Sequence, residues 1–513
     1  MRKFLVTIWM FTLVVTLFSC GPRVNVKGYF LDIEERTTSI SFSVEIEDPN
    51  EEITGNVVVE MINTNTNAIV NSKTLYQESE YSNISFTGLD NTADYRIDVR
   101  VMIGRESKVI VSHDVDLLPL ETKIITTVEE FMDMANNPEG NYELGGNIDF
   151  ANIAFSSPFG SVSKTFSGTF DGKGYTLSNI EFETVTGNLG IFAYVSKGTI
   201  KNLNISNVKI GTSTERLVTQ YAAKIGVLAG YVSSADAVIE NISINMVEIF
   251  VTSSSTYQFY VGGVFGDLRS VAKNITQNNV EIDVLTTSYA KVNVGGVAAF
   301  VGEEGGLRQI NSNAIVTQAV IGDYVDISTK AWNINVGGVV GDFNSRLSRG
   351  FQDVIHSGNI HVDLDFGTPS GQKGTYDVFV GGLTGRSYGQ IYQALYSGSI
   401  LVNHVENEFE SEILKSFYVG GLSGHYESNL IVDHAVYSND QQSIAINAST
   451  DSKVYLSYTL GVNPIALNHE FGYIGNGTLI KNDSAYTEVK PSPIIDTLDG
   501  YFTSEFMTSP HNE

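Results

Sequence analysis

The chain reads first as a change of hydrophobic period. Between Val24 and Pro119, runs such as Ser39-Ile40-Ser41-Phe42-Ser43-Val44-Glu45-Ile46, Val57-Val58-Val59-Glu60-Met61-Ile62 and Tyr95-Arg96-Ile97-Asp98-Val99-Arg100-Val101 alternate apolar and polar residues between turn formers. A period of two predicts antiparallel strands with one buried face, and about seven strands in ~95 residues predict a small β-sandwich. At Thr127 the period lengthens. Val128, Phe131, Met132 and Ala135 form one stripe, and Thr127 with Glu130 three residues on makes a capping box, so a short amphipathic helix is expected.

Beyond the helix a short phrase returns. It reads Val261-Gly262-Gly263-Val264-Phe265-Gly266 and recurs at Gly337, Gly381 and Gly420, with looser copies at Gly190, Gly226 and Gly295. The first glycines are separated by 36, 36, 33, 42, 44 and 39 residues, a period that predicts a solenoid of stacked coils. A second landmark follows each glycine by 12 to 16 residues: Asn202, Asn241, Asn274, Gln309, Asp353, Gln393 and Asp433. Amides repeated at one phase can hydrogen-bond from coil to coil, and paired glycines let backbones approach closely. A period near 38 suggests two coils of about 19 residues per repeat. The helix then serves as the lid that an open solenoid end requires, and Ile494 to Met507 as a cover at the other end.

Composition fits a large exported β protein, with 48 Gly, 10 Pro and only 17% charged residues. The formal charge of −27 opposes binding to polyphosphate backbones, so nucleic acid is not an expected partner. Arg2 and Lys3 precede an apolar run from Phe4 to Phe18, the pattern of an export signal and shorter than the ~20 residues of a membrane-spanning helix. The run ends in Leu17-Phe18-Ser19-Cys20, which resembles a bacterial lipobox. That resemblance implies that residues 1–19 are removed and that Cys20, the only cysteine, is lipidated and anchors the chain to the cell membrane or outer membrane. Expected divisions are 1–19 signal, 20–119 lipidated cysteine and sandwich, 120–484 solenoid and 485–513 tail.

Two further resemblances carry fold. Phe86 to Val99, with Leu89 and Tyr95 six apart, resembles the tyrosine corner of fibronectin type III domains, which implies that the Tyr95 hydroxyl bonds back to the loop backbone. Gly140 to Phe150, Phe166 to Ile180, Gly190-Ile191-Phe192 and Ile200-Lys201-Asn202-Leu203 resemble GLUG-repeat right-handed parallel β-helices, including the non-catalytic N-terminal region of immunoglobulin-A-cleaving metallopeptidases. This resemblance runs from about 122 to at least 440. The expected fold class is therefore all-β: an antiparallel sandwich, a short capping helix and a right-handed parallel β-helix.

Candidate chemistry is sparse. A zincin needs two histidines one helical turn apart, and His469-Glu470-Phe471-Gly472-Tyr473 lacks the second. Of eight histidines only His356 and His361 lie close together, and no Gly-x-Ser-x-Gly elbow occurs. Asp363 with Asp365, and Glu406, Glu408, Glu410 and Glu412, fall on expected turns, where solvated carboxylates are ordinary. No catalytic residue, metal or cofactor is expected.

The variable segments 252–260, 286–293, 323–335, 365–379 and 406–418 are rich in aromatics and should line one face. Tyr257, Tyr289, Trp332 and Tyr376 are its candidate ligand-binding residues, whereas Tyr260, Phe379 and Tyr418, each directly before Val-Gly-Gly, fit a structural role. The expected function is a non-enzymatic, lipid-anchored surface protein that binds a glycan or protein. The alternatives are a carbohydrate-active β-helix enzyme, which would show carboxylates converging in a groove, and a structural envelope component.

Overall fold

A computed structural model of the chain describes residues 25–35, 39–117, 121–161, 164–287, 291–321, 331–348, 350–365, 375–405, 414–426, 432–438, 443–448, 453–457, 470–474, 478–482 and 484–485. The chain divides into two compact units, 1–121 and 122–513.

The first unit contains β1 (Lys27–Glu35), β2 (Ser39–Glu47), β3 (Val57–Asn63), β4 (Ala68–Leu75), β5 (Ile84–Thr87), β6 (Tyr95–Ile103) and β7 (Glu106–Val115). They form a three-stranded sheet, β1-β2-β5, and a four-stranded sheet, β4-β3-β6-β7, antiparallel throughout. Alternation decides what is buried: Ile40, Phe42 and Val44 of β2 share a core with Val57, Val59 and Met61 of β3 and Ile97, Val99 and Val101 of β6. The Tyr95 hydroxyl accepts a hydrogen bond from the Asp90 backbone N–H at 3.1 Å, tying the loop before β6 to the strand.

The second unit opens with α1 (Val128–Met132). The Thr127 hydroxyl accepts from the Glu130 N–H at 3.2 Å, and Glu130 reaches back to the Thr127 N–H at 3.3 Å. A 3₁₀ turn over Asp133–Asn136 follows. Its tighter winding shifts the phase, so Phe131 and Met134 are the buried residues rather than the expected Ala135. Phe131 packs on Phe150, Phe170 and Phe192, closing this end of the core with rings.

The remainder is a parallel β-solenoid whose described strands form sheets of 21, 8 and 7 strands. One coil runs Phe259–Gly262, Phe265–Leu268 and Val271–Thr286, and each segment pairs in parallel with its counterpart one repeat on. Val261 pairs with Val294, Val294 with Val336, and Gly262 with Gly295. Each repeat is thus a single coil, not the two expected from its length.

The discrepancy has a backbone cause. Asn202, Asn241, Asn274, Gln309, Asp353 and Gln393 all have φ between 49° and 58°, and Asn207, Met246 and Asn279 repeat this five residues later. A single left-handed residue turns a corner without breaking the ladder, so one strand such as Val238–Ser253 wraps part of the circumference. The extra residue also resets the alternation: inward positions run Ile200, Leu203, Ile205, Val208, Ile210.

Stacking converts each inward position into a column through the core. One reads Leu177, Ile205, Ile244, Gln277, Ser312, His356, Tyr396, Tyr437, changing from aliphatic to polar to aromatic. The glycine turn changes with it. Coils with Ile205 or Ile244 carry Ile191 or Val227 after the first landmark glycine, whereas those with Gln277, Ser312, His356, Tyr396 and Tyr437 carry a second glycine. A Cβ at Gly338 would strike the His356 ring, and one at Gly382 the Tyr396 ring.

Candidate functional site

Outward positions form columns as well. Two positions before the first landmark glycine, the 8-stranded sheet stacks Lys224, Tyr260, Asn293, Asn335, Phe379, Tyr418 and, in the last described coil, Tyr455. Across the glycine turn, the 7-stranded sheet stacks Tyr194, Tyr231, Asp267, Phe300, Asp342, Arg386 and His425. The two outer faces meet at a corner and enclose a cleft of about 400 Å³, lined by Lys224, Tyr260, Asp267, Arg269, Lys291, Phe300, Asp342, Arg386 and Tyr388 among others.

Rings and charges alternate along its walls. Tyr260 stacks on Phe300 at 5.8 Å, and Phe379, Tyr418 and Tyr455 stack in series at 4.9 and 4.8 Å. Lys224 Nζ lies 3.5 Å from the Tyr231 ring centre, Arg269 sits between Tyr231 and Phe300, and Arg386 lies 4.4 Å from the Tyr388 ring. Asp267, 1% exposed, receives Lys224 at 2.6 Å and Arg269 at 3.0 Å, while Lys291 reaches Asp342 at 2.8 Å. Burial, with Asp342 and Asp267 nearby, pushes the Tyr260 hydroxyl above the ordinary tyrosine range, so it stays protonated. Burial also raises the Asp377 carboxyl, against the opposing pull of Arg386 and His425. Beneath the wall, Asn335 Nδ2 donates to Asn293 Oδ1 at 2.8 Å, leaving Asn293 Nδ2 and Asn335 Oδ1 without partners in a fully buried pair.

Of the residues singled out in the sequence, Tyr257 is not among those lining the cleft. Tyr257 is 69% exposed in the turn before Phe259. Trp332 and Tyr376 pair through their backbones in Ala331–Gly337 and Thr375–Gly381, with side chains outside the description; Tyr289 and Cys20 are outside the described residues altogether. Parts of the expected variable loops, including 331–335, 375–379 and 414–418, are strand. Tyr260, Phe379 and Tyr418, read as structural, stack between coils, and Tyr260 also lines the cleft.

Asn241 Nδ2 donates to Asn202 Oδ1 at 2.9 Å and Asn274 Nδ2 to Asn241 Oδ1 at 2.8 Å, and Asn202 in turn donates to Asp171 at 3.0 Å. The landmark glycines make backbone approaches: a Cβ at Gly262 would meet the Phe265 carbonyl and the Ala299 N–H of the next coil, and Gly190, Gly226, Gly295, Gly337 and Gly381 are similarly hemmed by backbone. Gly420 pairs with Gly381 in the same ladder.

His356 is wholly buried in the interior column, whereas His361 is on the surface, 2.9 Å from Asp363. Asp363 and Asp365 lie in Ile360–Asp365, a strand rather than a turn. Glu406, Glu408, Glu410, Glu412 and His469 are outside the described residues, and Glu470 to Tyr473 fall in strand. Among the described residues no group of three or more His, Cys, Asp or Glu is placed to hold a metal ion. No helix among them is long and apolar enough to cross a membrane.

Residues 123–245 match the M26 IgA1-specific metallo-endopeptidase N-terminal region. The matched segment holds the capping helix and the coils as far as Asn245, a shorter stretch than the 122 to 440 suggested by the resemblance. Of the cleft it contains Lys224 but none of Tyr260, Arg269, Lys291, Phe300 or Arg386. The cleft is thus largely a feature of the coils beyond the match. No curated protein and no solved structure matches the chain.

Proposed function

We propose that the chain is an exported, lipid-anchored, non-enzymatic surface protein whose solenoid captures a glycan or protein along the cleft. The observation that carries this reading is the continuity of rings and ion pairs across successive coils, which suits an extended ligand better than a single reacting bond. The seven-stranded antiparallel unit, with its Tyr95–Asp90 bond, suits a fibronectin type III-like spacer following the anchor. Replacing Phe300 and Tyr388 with Ala should weaken capture at least tenfold, since each aromatic contact contributes about 1–3 kcal/mol, while far-UV circular dichroism stays unchanged. Undiminished capture by the folded variant would rule the cleft out.

Anchoring rests on Cys20, the one thiol of the chain. Cys20→Ser should move the protein from the detergent phase to the aqueous phase on Triton X-114 partitioning. Retention in the detergent phase with the leader removed would exclude a lipid on this residue.

A carbohydrate-active enzyme is the second reading, favoured by Asp342 in the cleft lining and by Asp377, whose carboxyl burial raises within reach of Arg386. It requires release of reducing ends from a polysaccharide panel, lost in Asp377→Asn and Asp342→Asn. A wild-type protein that binds a polysaccharide and leaves it intact disposes of this alternative.

A further inference from the structure

The outward columns carry a charge pattern opposed to that of the whole chain. On a molecule of net charge −27, the cleft lining presents four cations, Lys224, Arg269, Lys291 and Arg386, against two carboxylates, Asp267 and Asp342. The cations come from different coils. At about 4.8 Å per coil, the rows from Lys224 to Tyr455 extend about 30 Å, the reach of several units of a linear polymer.

We propose that the ligand of this cleft is an anionic polysaccharide, lying along the solenoid axis with its sugar faces on the rings and its carboxylate or sulfate groups toward the cations. The proposal rests on the capture reading above and gives it a chemical class. Two features select this class. Flat rings in series offer apolar platforms to the C–H faces of sugars, and Lys224, Arg269 and Arg386, held over Tyr231, Phe300 and Tyr388, keep positive charge beside those platforms. Sparse cations interrupted by carboxylates fit a polymer with about one charge per sugar, whereas the dense phosphates of a nucleic acid would meet both Asp267 and Asp342 and the acidic remainder of the molecule.

The test compares binding of the full chain, in detergent, to polygalacturonate, its fully methyl-esterified neutral form, heparin and poly-glutamate, at low and high salt. Tighter binding to polygalacturonate or heparin than to both the neutral ester and poly-glutamate, by at least tenfold and weakening with salt, is the expected result. Lys291→Gln combined with Arg269→Gln should reduce that binding at least tenfold, and Lys291→Arg, which keeps charge with little disturbance of folding, should retain it. Equal binding of the acidic and esterified forms, lost in Phe300→Ala, would overturn the anionic assignment and leave the cleft as the capture site. Poly-glutamate binding as tightly as either acidic polysaccharide would overturn the sugar assignment in favour of an acidic polypeptide. Binding that ignores Phe300→Ala and the cation variants alike would overturn both this proposal and the capture reading. Failure of all four probes would overturn the proposal alone, leaving the capture reading to a protein-ligand screen with Phe300→Ala as control.

Discussion

At the level of single residues, the interior column couples a ring to the absence of a side chain two strands away. Gly338 is empty because His356 occupies the space its Cβ would need, and the Gly382 carbonyl of the next coil closes the remaining gap. Gly338→Ala should therefore cost about 3 kcal/mol or more in denaturant unfolding of the solenoid. The same change in a His356→Ala background should cost less without becoming neutral, because the carbonyl remains; equal penalties would show that the ring is not the obstacle. His356 adds a pH dependence. Its Nδ1 lies 3.0 Å from the Ser312 carbonyl and must donate to it, so Nε2 is an acceptor without a partner, and the ring stacks on Tyr396 at 5.6 Å. Burial, only partly offset by that carbonyl, lowers its pKa to about 4. Between the unfolded value of about 6.5 and 4 the unfolded chain holds the proton and the folded chain does not, so stability falls as pH falls, by about 2 kcal/mol between pH 6.5 and 5. His356→Phe should remove that part of the slope; an unchanged slope would assign it to other groups. None of this was legible from Gly338 or His356 alone, 18 positions apart in the chain, because the relation exists only once a coil closes.

At the scale of the element, the long bent strand explains both what the repeat revealed and what it hid. The spacing of glycines and polar landmarks identified the rungs, and the amides of Asn202, Asn241 and Asn274 do bond in a ladder. What the spacing did not disclose was that these polar residues, not the landmark glycines, adopt the left-handed backbone. Asn241 and Met246 turn two corners inside Val238–Ser253 without the Gly or Pro that usually announces a turn, so the coil looked half its length. The two roles of Asn241 can be separated. Asn241→Val should cost about 1–3 kcal/mol because a β-branched residue is strained at φ 58°, whereas Asn241→Gly keeps the backbone and loses only the ladder bonds, about 1 kcal/mol. Equal losses in urea unfolding would mean that the ladder, not the corner, is what the asparagine supplies.

For the molecule as a whole, function emerges from register. Tyr260 and Arg269 belong to one coil and Phe300 and Arg386 to two others, and nothing in their local sequence marks them as neighbours; the turn containing Tyr257 drew attention because its length varied, whereas the cleft is built at the fixed phase beside the glycines. A solenoid gains and loses surface by whole coils, since each contacts chiefly the coils on either side. Excising residues 291–332, which places Asn333 where Lys291 stood in the ladder, removes one coil while preserving register, because Val292 pairs with Ile334. The shortened chain should keep its β-sheet circular dichroism and melt a few degrees lower, a much milder effect than deleting an equal length from a single globular core. It should also bind its ligand at least tenfold more weakly, having lost Lys291 and Phe300 and brought Asp267 and Asp342 onto adjacent rungs, about 4.8 Å apart, where like charges repel. A collapsed fold would show that the coils are not independent units, and a folded chain with full affinity would move the binding surface off these coils.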